Sequence, residues 1–134
     1  MPLIESCIEE FRLDNEDVNY DQFIVAEEDG NVVGFGRVKP YRYCFELGCL
    51  AVIANYRNRG IGSSIVNRLM HDFPGDDIWI TTDIPRYFER FGFQPTTEAP
   101  QEIMDKIGRV CKSRQHPDAV IMLLQKRHAE KRQQ

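Results

Sequence analysis

No run of apolar residues in this chain approaches the ~20 needed to cross a bilayer, which excludes a helical membrane span. The opening residues, MPLIESCIEEF, lack the basic start and apolar stretch of a secretory signal, so a cytoplasmic location is expected. The four cysteines (Cys7, Cys44, Cys49, Cys111) show no CxxC spacing. That pattern points to reduced core thiols rather than a disulfide frame or a zinc site. The three histidines (His71, His116, His128) form no HExxH, and no metal is expected. Basic residues are also in short supply: 17 Lys and Arg stand against 21 Asp and Glu, for a formal charge of −4. Broad attraction to nucleic acid or an acidic membrane surface is thereby disfavoured. Any anion site must be local, and the basic residues Arg57, Arg59 and Arg68 do cluster locally.

What is present reads as one globular α/β domain over residues 1–125, followed by a polar tail over 126–134. Leu3, Ile4, Cys7, Ile8 and Phe11 recur at helical spacing. Phe23 to Ala26 and Val32 to Val38 are short strands joined by the turn chemistry of Asp29-Gly30-Asn31. Cys44 to Ala54 is the longest strand candidate. Phe45, Leu47, Cys49, Ala51 and Ile53 share one face; Glu46, Gly48, Leu50 and Val52 share the other. Both faces are apolar except at Glu46, as for a strand covered on both sides. A helix over Gly60 to Phe73 follows, with Ile61, Ile65, Val66, Leu69 and Met70 on its apolar stripe. Then come a strand over Ile78 to Thr82, a helix from Pro85 to Phe91 ended by Gly92, and a short extended piece from Phe93. A helix over Gln101 to Lys112, with Ile103, Ile107, Val110 and Cys111 inward, and a strand over Ala119 to Leu124 close the series.

The chemistry concentrates in Tyr56-Arg57-Asn58-Arg59-Gly60-Ile61-Gly62-Ser63-Ser64, which leaves a buried strand and enters a helix. Free amides at a helix start, with the helix dipole behind them, bind phosphate. Gly60 and Gly62 allow close backbone approach, Arg57 and Arg59 add charge, and Ser63 and Ser64 add hydroxyls. A Walker A loop is excluded because no lysine follows glycine. A dinucleotide fingerprint is excluded because Ile65 stands where its third small residue belongs.

Arg57-x-x-Gly60-x-Gly62 after the strand Leu50-Ala51-Val52 resembles the acetyl-CoA motif of the GNAT superfamily of N-acetyltransferases. Tyr87-Phe88-Glu89-Arg90-Phe91-Gly92-Phe93 resembles that family's helix-to-strand motif beside the cofactor. Together the matches cover residues 22 to 125. The resemblance implies an α+β fold with a mixed, mostly antiparallel sheet and helices on both faces. It implies acetyl-CoA as co-substrate, with Arg57, Asn58, Arg59, Gly60, Ile61, Gly62, Ser63 and Ser64 around its diphosphate. Leu50 would face the thioester, Ala51 and Val52 would pair with the pantetheine arm, and Phe88 would lie near the sulfur. The family commonly begins with a strand and two helices, whereas one helix fits before Phe23. The missing first strand would open an acceptor groove or expose a sheet edge for a homodimer.

The same resemblance makes Glu46 the candidate general base, since some members carry glutamate at the matching place. Burial there would raise its pKa, and the ~13 Å of strand between Glu46 and Leu50 would call for a water relay. The alternative is a strand-end glutamate facing solvent. Phe88 occupies a place where members often carry a tyrosine acid, and phenylalanine cannot donate a proton. Tyr41 or Tyr43 would then serve, or the thiolate would leave unassisted.

Ile80-Thr81-Thr82 and Tyr87 to Pro95, followed by Pro100 to Leu124, are similar to the acetyltransferase domain of N-acetylglutamate synthases. This implies a small-molecule amine such as glutamate as acceptor, whose carboxylate Arg37, Lys39 and Arg42 would bind, unless those residues form a plain surface cluster. Two other readings of the fold stay open: transfer to protein amines, and a non-catalytic acyl-CoA-binding module.

Overall fold

A computed structural model of the chain describes residues 2–10, 16, 18–111 and 119–126. Its elements, in order, are helix α1 (Pro2–Glu10), strands β1 (Phe23–Glu28), β2 (Asn31–Pro40) and β3 (Phe45–Val52), and helix α2 (Ile61–Asp72). Strand β4 (Asp77–Thr82), helix α3 (Pro85–Glu89), strand β5 (Gln94–Pro95), helix α4 (Gln101–Lys106) and strand β6 (Val120–Gln125) complete the series. The strands form a six-stranded sheet in the order β1-β2-β3-β4-β6-β5. It is mixed, as expected: β3 pairs with β4 in parallel, while β1–β2, β4–β6 and β5–β6 are antiparallel. Among the described residues no helix is long and apolar enough to cross a membrane.

By its contacts the chain divides into two compact units, Met1–Lys39 with Leu47–Pro74 and Pro40–Glu46 with Gly75–Gln134. In the first unit, Asp29 (φ 53°) and Gly30 (φ 82°) are both left-handed. That is the two-residue turn whose twist matches a hairpin, and it sets Glu28 opposite Asn31. Leu3, Ile4, Cys7 and Ile8 of α1 pack with Phe35 of β2 and Cys49 and Ala51 of β3, on the helical spacing read from the sequence. Phe11, also placed on that stripe, lies outside the described residues.

The opposite face of β2 carries Gly34 and Gly36, and α2 lies directly against them. A β-carbon on Gly34 would come within 3.0 Å of the Ala51 carbonyl oxygen and of Ile65; one on Gly36 would meet Ile65 at 3.1 Å and Leu69 at 3.2 Å. The two glycines therefore let the helix approach the strand, and helices cover this unit's sheet on both sides. Gly34→Ala should cost about 1–3 kcal/mol, because the Ala51 backbone cannot yield as a side chain can. A urea midpoint unchanged from the parent would show that the helix can shift outward.

In the second unit β4 pairs with β6 through six positions, from Asp77↔Gln125 to Thr82↔Val120. Cys44, Ile103 and Ile121 form a buried cluster, with Tyr41, Trp79, Ala99 and Ile107 packed on it. Phe88, Phe91 and Phe93 are all buried, and the Phe88 ring meets Phe93 edge-on. The helix expected from Pro85 to Phe91 is α-helical only to Glu89; Arg90 and Phe91 form a turn that closes at the left-handed Gly92 (φ 101°), whose N–H donates to the Glu89 carbonyl at 3.0 Å. The helix expected over Gln101 to Lys112 is α-helical only to Lys106, and Ile107–Cys111 continues as a π-helix. Residue 112 and the polar tail beyond residue 126 lie outside the described residues.

The alternation expected along β3 holds only in part. Leu47, Cys49 and Ala51 are buried, but Phe45, placed on the same face, is 41% exposed at the strand's first position. Cys49 adopts φ 50°, a left-handed conformation that interrupts extended geometry. The strand also stops at Val52 rather than Ala54, because Ala54–Tyr56 forms a 3₁₀ turn.

Candidate active site

Two clusters of residues carry the chemistry, one in each unit. In the first unit the chain leaves β3, makes the 3₁₀ turn, and enters α2 through Gly60, whose φ of 80° is left-handed. Asn58 is left-handed too, at φ 65°. Arg57, Asn58, Arg59, Gly60 and Ser64 are exposed, and Ile61, Gly62 and Ser63 are half-buried, so side chains do not bury the helix entrance. The first-turn amides of an α-helix have no carbonyl inside the helix to donate to, and the expectation of an anion at this end rests on that feature.

The side chains around it do not all act as expected. Arg57 Nε donates to the Val52 carbonyl at 2.9 Å, tying the loop to the end of β3. Arg59 leans instead toward Glu28 of β1, at 3.7 Å, with its guanidinium over the Tyr56 ring. Ser64 Oγ donates back to the Gly60 carbonyl at 3.1 Å. A hydroxyl has one proton to give, so in this arrangement Ser64 stabilises the helix start and donates nothing to a ligand. Leu50 and Val52 are half-buried and Ala51 is buried, with the left-handed Cys49 immediately before Leu50.

In the second unit Glu46 is 2% exposed, so the solvent-facing alternative is discarded. Nor is it the isolated buried acid that the strand pattern suggested. Lys106 Nζ of α4 donates to Glu46 Oε2 at 2.6 Å, the Tyr41 hydroxyl donates to Oε1 at 2.9 Å, and Thr81 Oγ1 donates more weakly at 3.4 Å. The ion pair makes burial of the carboxylate tolerable, since neither charge enters the core alone. No motif marks Lys106, and Thr81 stands in the sequence only as part of the resemblance over Ile80-Thr81-Thr82. Lys106 stands 60 positions from Glu46, and the only available signal was a lysine on the apolar side of a helical pattern.

Tyr41 is thus engaged by Glu46, whereas Tyr43 is 76% exposed. Phe88 is 4% exposed, with ring neighbours Tyr87, Phe91 and Phe93 at centroid distances of 5.0–6.3 Å. Burial first, and then the neighbouring Glu102 and Glu46 carboxylates, push the Cys44 thiol up to about 11. At neutral pH it is a protonated core thiol, as the cysteine spacing implied, and no nucleophile.

The three basic residues assigned to an acceptor carboxylate are not one surface cluster. Arg37 and Lys39 are 1% and 3% exposed, and both donate to the Glu16 carbonyl at 3.1 Å; Arg37 also bonds Gln22 at 3.2 Å. Their alternate positions on β2 turn both inward, and they hold the segment before β1. Arg42 is exposed, with its guanidinium over the Tyr43 ring.

The sequence model of the acetyltransferase (GNAT) domain matches residues 19–95, more than half of the chain. The chain belongs to the GNAT acetyltransferase family. This acetyltransferase is also similar to solved structures. Rv2747 from Mycobacterium tuberculosis, in complex with CoA and NLQ, is 25% identical over 92% of each chain, with a TM-score of 0.70. The N-acetylglutamate synthase of Neisseria gonorrhoeae, complexed with coenzyme A and N-acetyl-glutamate, superposes at 0.70 and 20% identity. There the match covers 93% of the present chain but 32% of the synthase, which is much the longer protein. Tetrahymena GCN5 shares the fold at a TM-score of 0.55 and 22% identity, over 77% of this chain and 66% of its own. No curated protein sequence matches significantly.

As a family member the chain is an N-acetyltransferase with acetyl-CoA as co-substrate. The α2 entrance is exposed and carries two left-handed backbone positions, Asn58 and Gly60. Among the described residues no group of three or more His, Cys, Asp or Glu is placed to hold a metal.

Proposed function

We propose that this acetyltransferase acetylates the primary amine of a small carboxylated acceptor, an amino acid such as glutamate, with Glu46 as the base. The observation that carries the reading is the enclosed Glu46 carboxylate joined to the Tyr41 hydroxyl. In acetyl transfer the amine nitrogen attacks the thioester carbon. A C–N bond forms, the C–S bond breaks, and the sulfur leaves with the electron pair as thiolate. The ammonium proton must go elsewhere, and a carboxylate reached through a phenol is a route for it. Tyr41 passes its proton to Glu46 and is reprotonated from the ammonium, directly or through a water. Coenzyme A brings the activated acetyl group, and the protein supplies position. The leaving thiolate needs no strong acid, since thiols are fairly acidic, so Phe88 in place of a tyrosine is tolerable.

Support for an amino acid comes from the resemblance over Ile80–Thr82 and Tyr87–Pro95 and from the fold shared with a synthase that holds N-acetyl-glutamate. With Arg37 and Lys39 turned inward, Arg42 is the remaining candidate for the acceptor's carboxylate. Thiol release from acetyl-CoA should saturate with glutamate or a related amino acid, and Arg42→Ala should raise that amino acid's KM about tenfold without moving the KM for acetyl-CoA. Turnover with peptides alone would reassign the acceptor to protein amines. Coenzyme A binding without turnover on any amine would reduce the protein to a binding module.

A further inference from the structure

Helix α4 reaches the same small region of the second unit twice. Lys106 pairs with Glu46, and Glu102, one turn earlier on the same helix face, reaches the Tyr41–Cys44 turn. Glu102 Oε2 accepts the Arg42 N–H at 2.9 Å, and Oε1 accepts the Tyr43 N–H at 3.0 Å. The Cys44 thiol adds a weak donation to Oε1 at 3.7 Å. The turn is closed on itself by the Tyr41 N–H donating to the Cys44 carbonyl at 2.8 Å.

These bonds are not required to satisfy a buried backbone. Arg42 and Tyr43 are exposed, and water would solvate their amides without penalty. Glu102 instead gives up side-chain freedom to grip two consecutive amides with its two oxygens. The effect of such a grip is positional. The residue it places is Tyr41, whose hydroxyl meets Glu46 at 2.9 Å.

We propose that Glu102 is a positioning residue for acetyl transfer: its carboxylate clamps the Tyr41–Cys44 turn and so aims the Tyr41 hydroxyl at Glu46. The inference rests on the reading of Glu46 and Tyr41 as the proton route. One helix then sets both sides of that route, Lys106 holding the carboxylate and Glu102 holding the phenol.

A kinetic double-mutant cycle tests it. Glu102→Ala should lower kcat on the order of 10- to 100-fold, as a misplaced group does, with the KM for acetyl-CoA unchanged. Glu102→Gln keeps one carbonyl acceptor and should fall between Glu102→Ala and the parent. Should Glu102→Ala not fold, Glu102→Gln carries the same cycle. In a Tyr41→Phe background either Glu102 substitution should cause no further loss, because the group being aimed is gone. Full additivity of the two losses overturns the positioning role and leaves the proton route standing. A Tyr41→Phe enzyme with the parent's kcat overturns both.

Discussion

A Gly62→Glu variant is expected to melt no earlier than the parent and to lose the thermal shift that coenzyme A gives the parent. Gly62 lies in the first turn of α2, half-buried beside the exposed Gly60. A carboxylate in a first helical turn is favoured by the helix dipole by about 0.3–1 kcal/mol, and glutamate is a better helix former than glycine. Both effects stabilise the free protein. The same negative charge, placed where the diphosphate is proposed to sit, repels it and fills the space the glycine leaves. At a concentration of coenzyme A one hundred times its Kd the parent gains about 2.7 kcal/mol, and the variant should gain none. The opposite signs separate a lost site from a damaged fold. A variant that still shifts as the parent does would move the diphosphate away from this loop.

The second large effect concerns Glu46. Glu46→Gln leaves the Lys106 charge in the core without its countercharge, and breaking a buried pair in this way costs about 3–5 kcal/mol. It also removes the proposed base, for which a loss of about 10² to 10⁴ in kcat is usual. The two consequences come apart in Glu46→Gln combined with Lys106→Met. Removing both charges should recover most of the lost stability, read as the urea midpoint, because an apolar group of similar length fills the lysine's place. Turnover should stay at the single variant's level. A double variant with restored kcat would make Glu46 a structural partner of Lys106 and nothing more.

The two clusters differ in how far neighbouring residues determine them. The α2 entrance was legible because its parts are neighbours in the chain: an apolar strand, a polar turn, Gly60, Gly62 and an amphipathic helix. The hairpin at Asp29-Gly30 was legible for the same reason, and so was the stop at Gly92. The surroundings of Glu46 were not legible. Strand alternation left position 46 either buried or at a solvent-facing strand end, and its three donors come from a turn, a neighbouring strand and a helix 60 residues away. Ser64 shows a subtler limit. Its type and place suit a phosphate donor, and the folded helix directs its proton to the Gly60 carbonyl instead.

From the sequence by itself came the order and kind of the elements, the glycine-marked helix entrance and the family resemblance, because helical period, strand alternation and glycine placement act over a few adjacent residues. The tertiary structure decided which charges are enclosed and what faces them. It turned Arg37 and Lys39 inward onto the Glu16 carbonyl, brought Lys106 to Glu46, and set α2 against Gly34 and Gly36. An ion pair or a close helix approach depends on where distant segments arrive together, and no local pattern encodes that meeting.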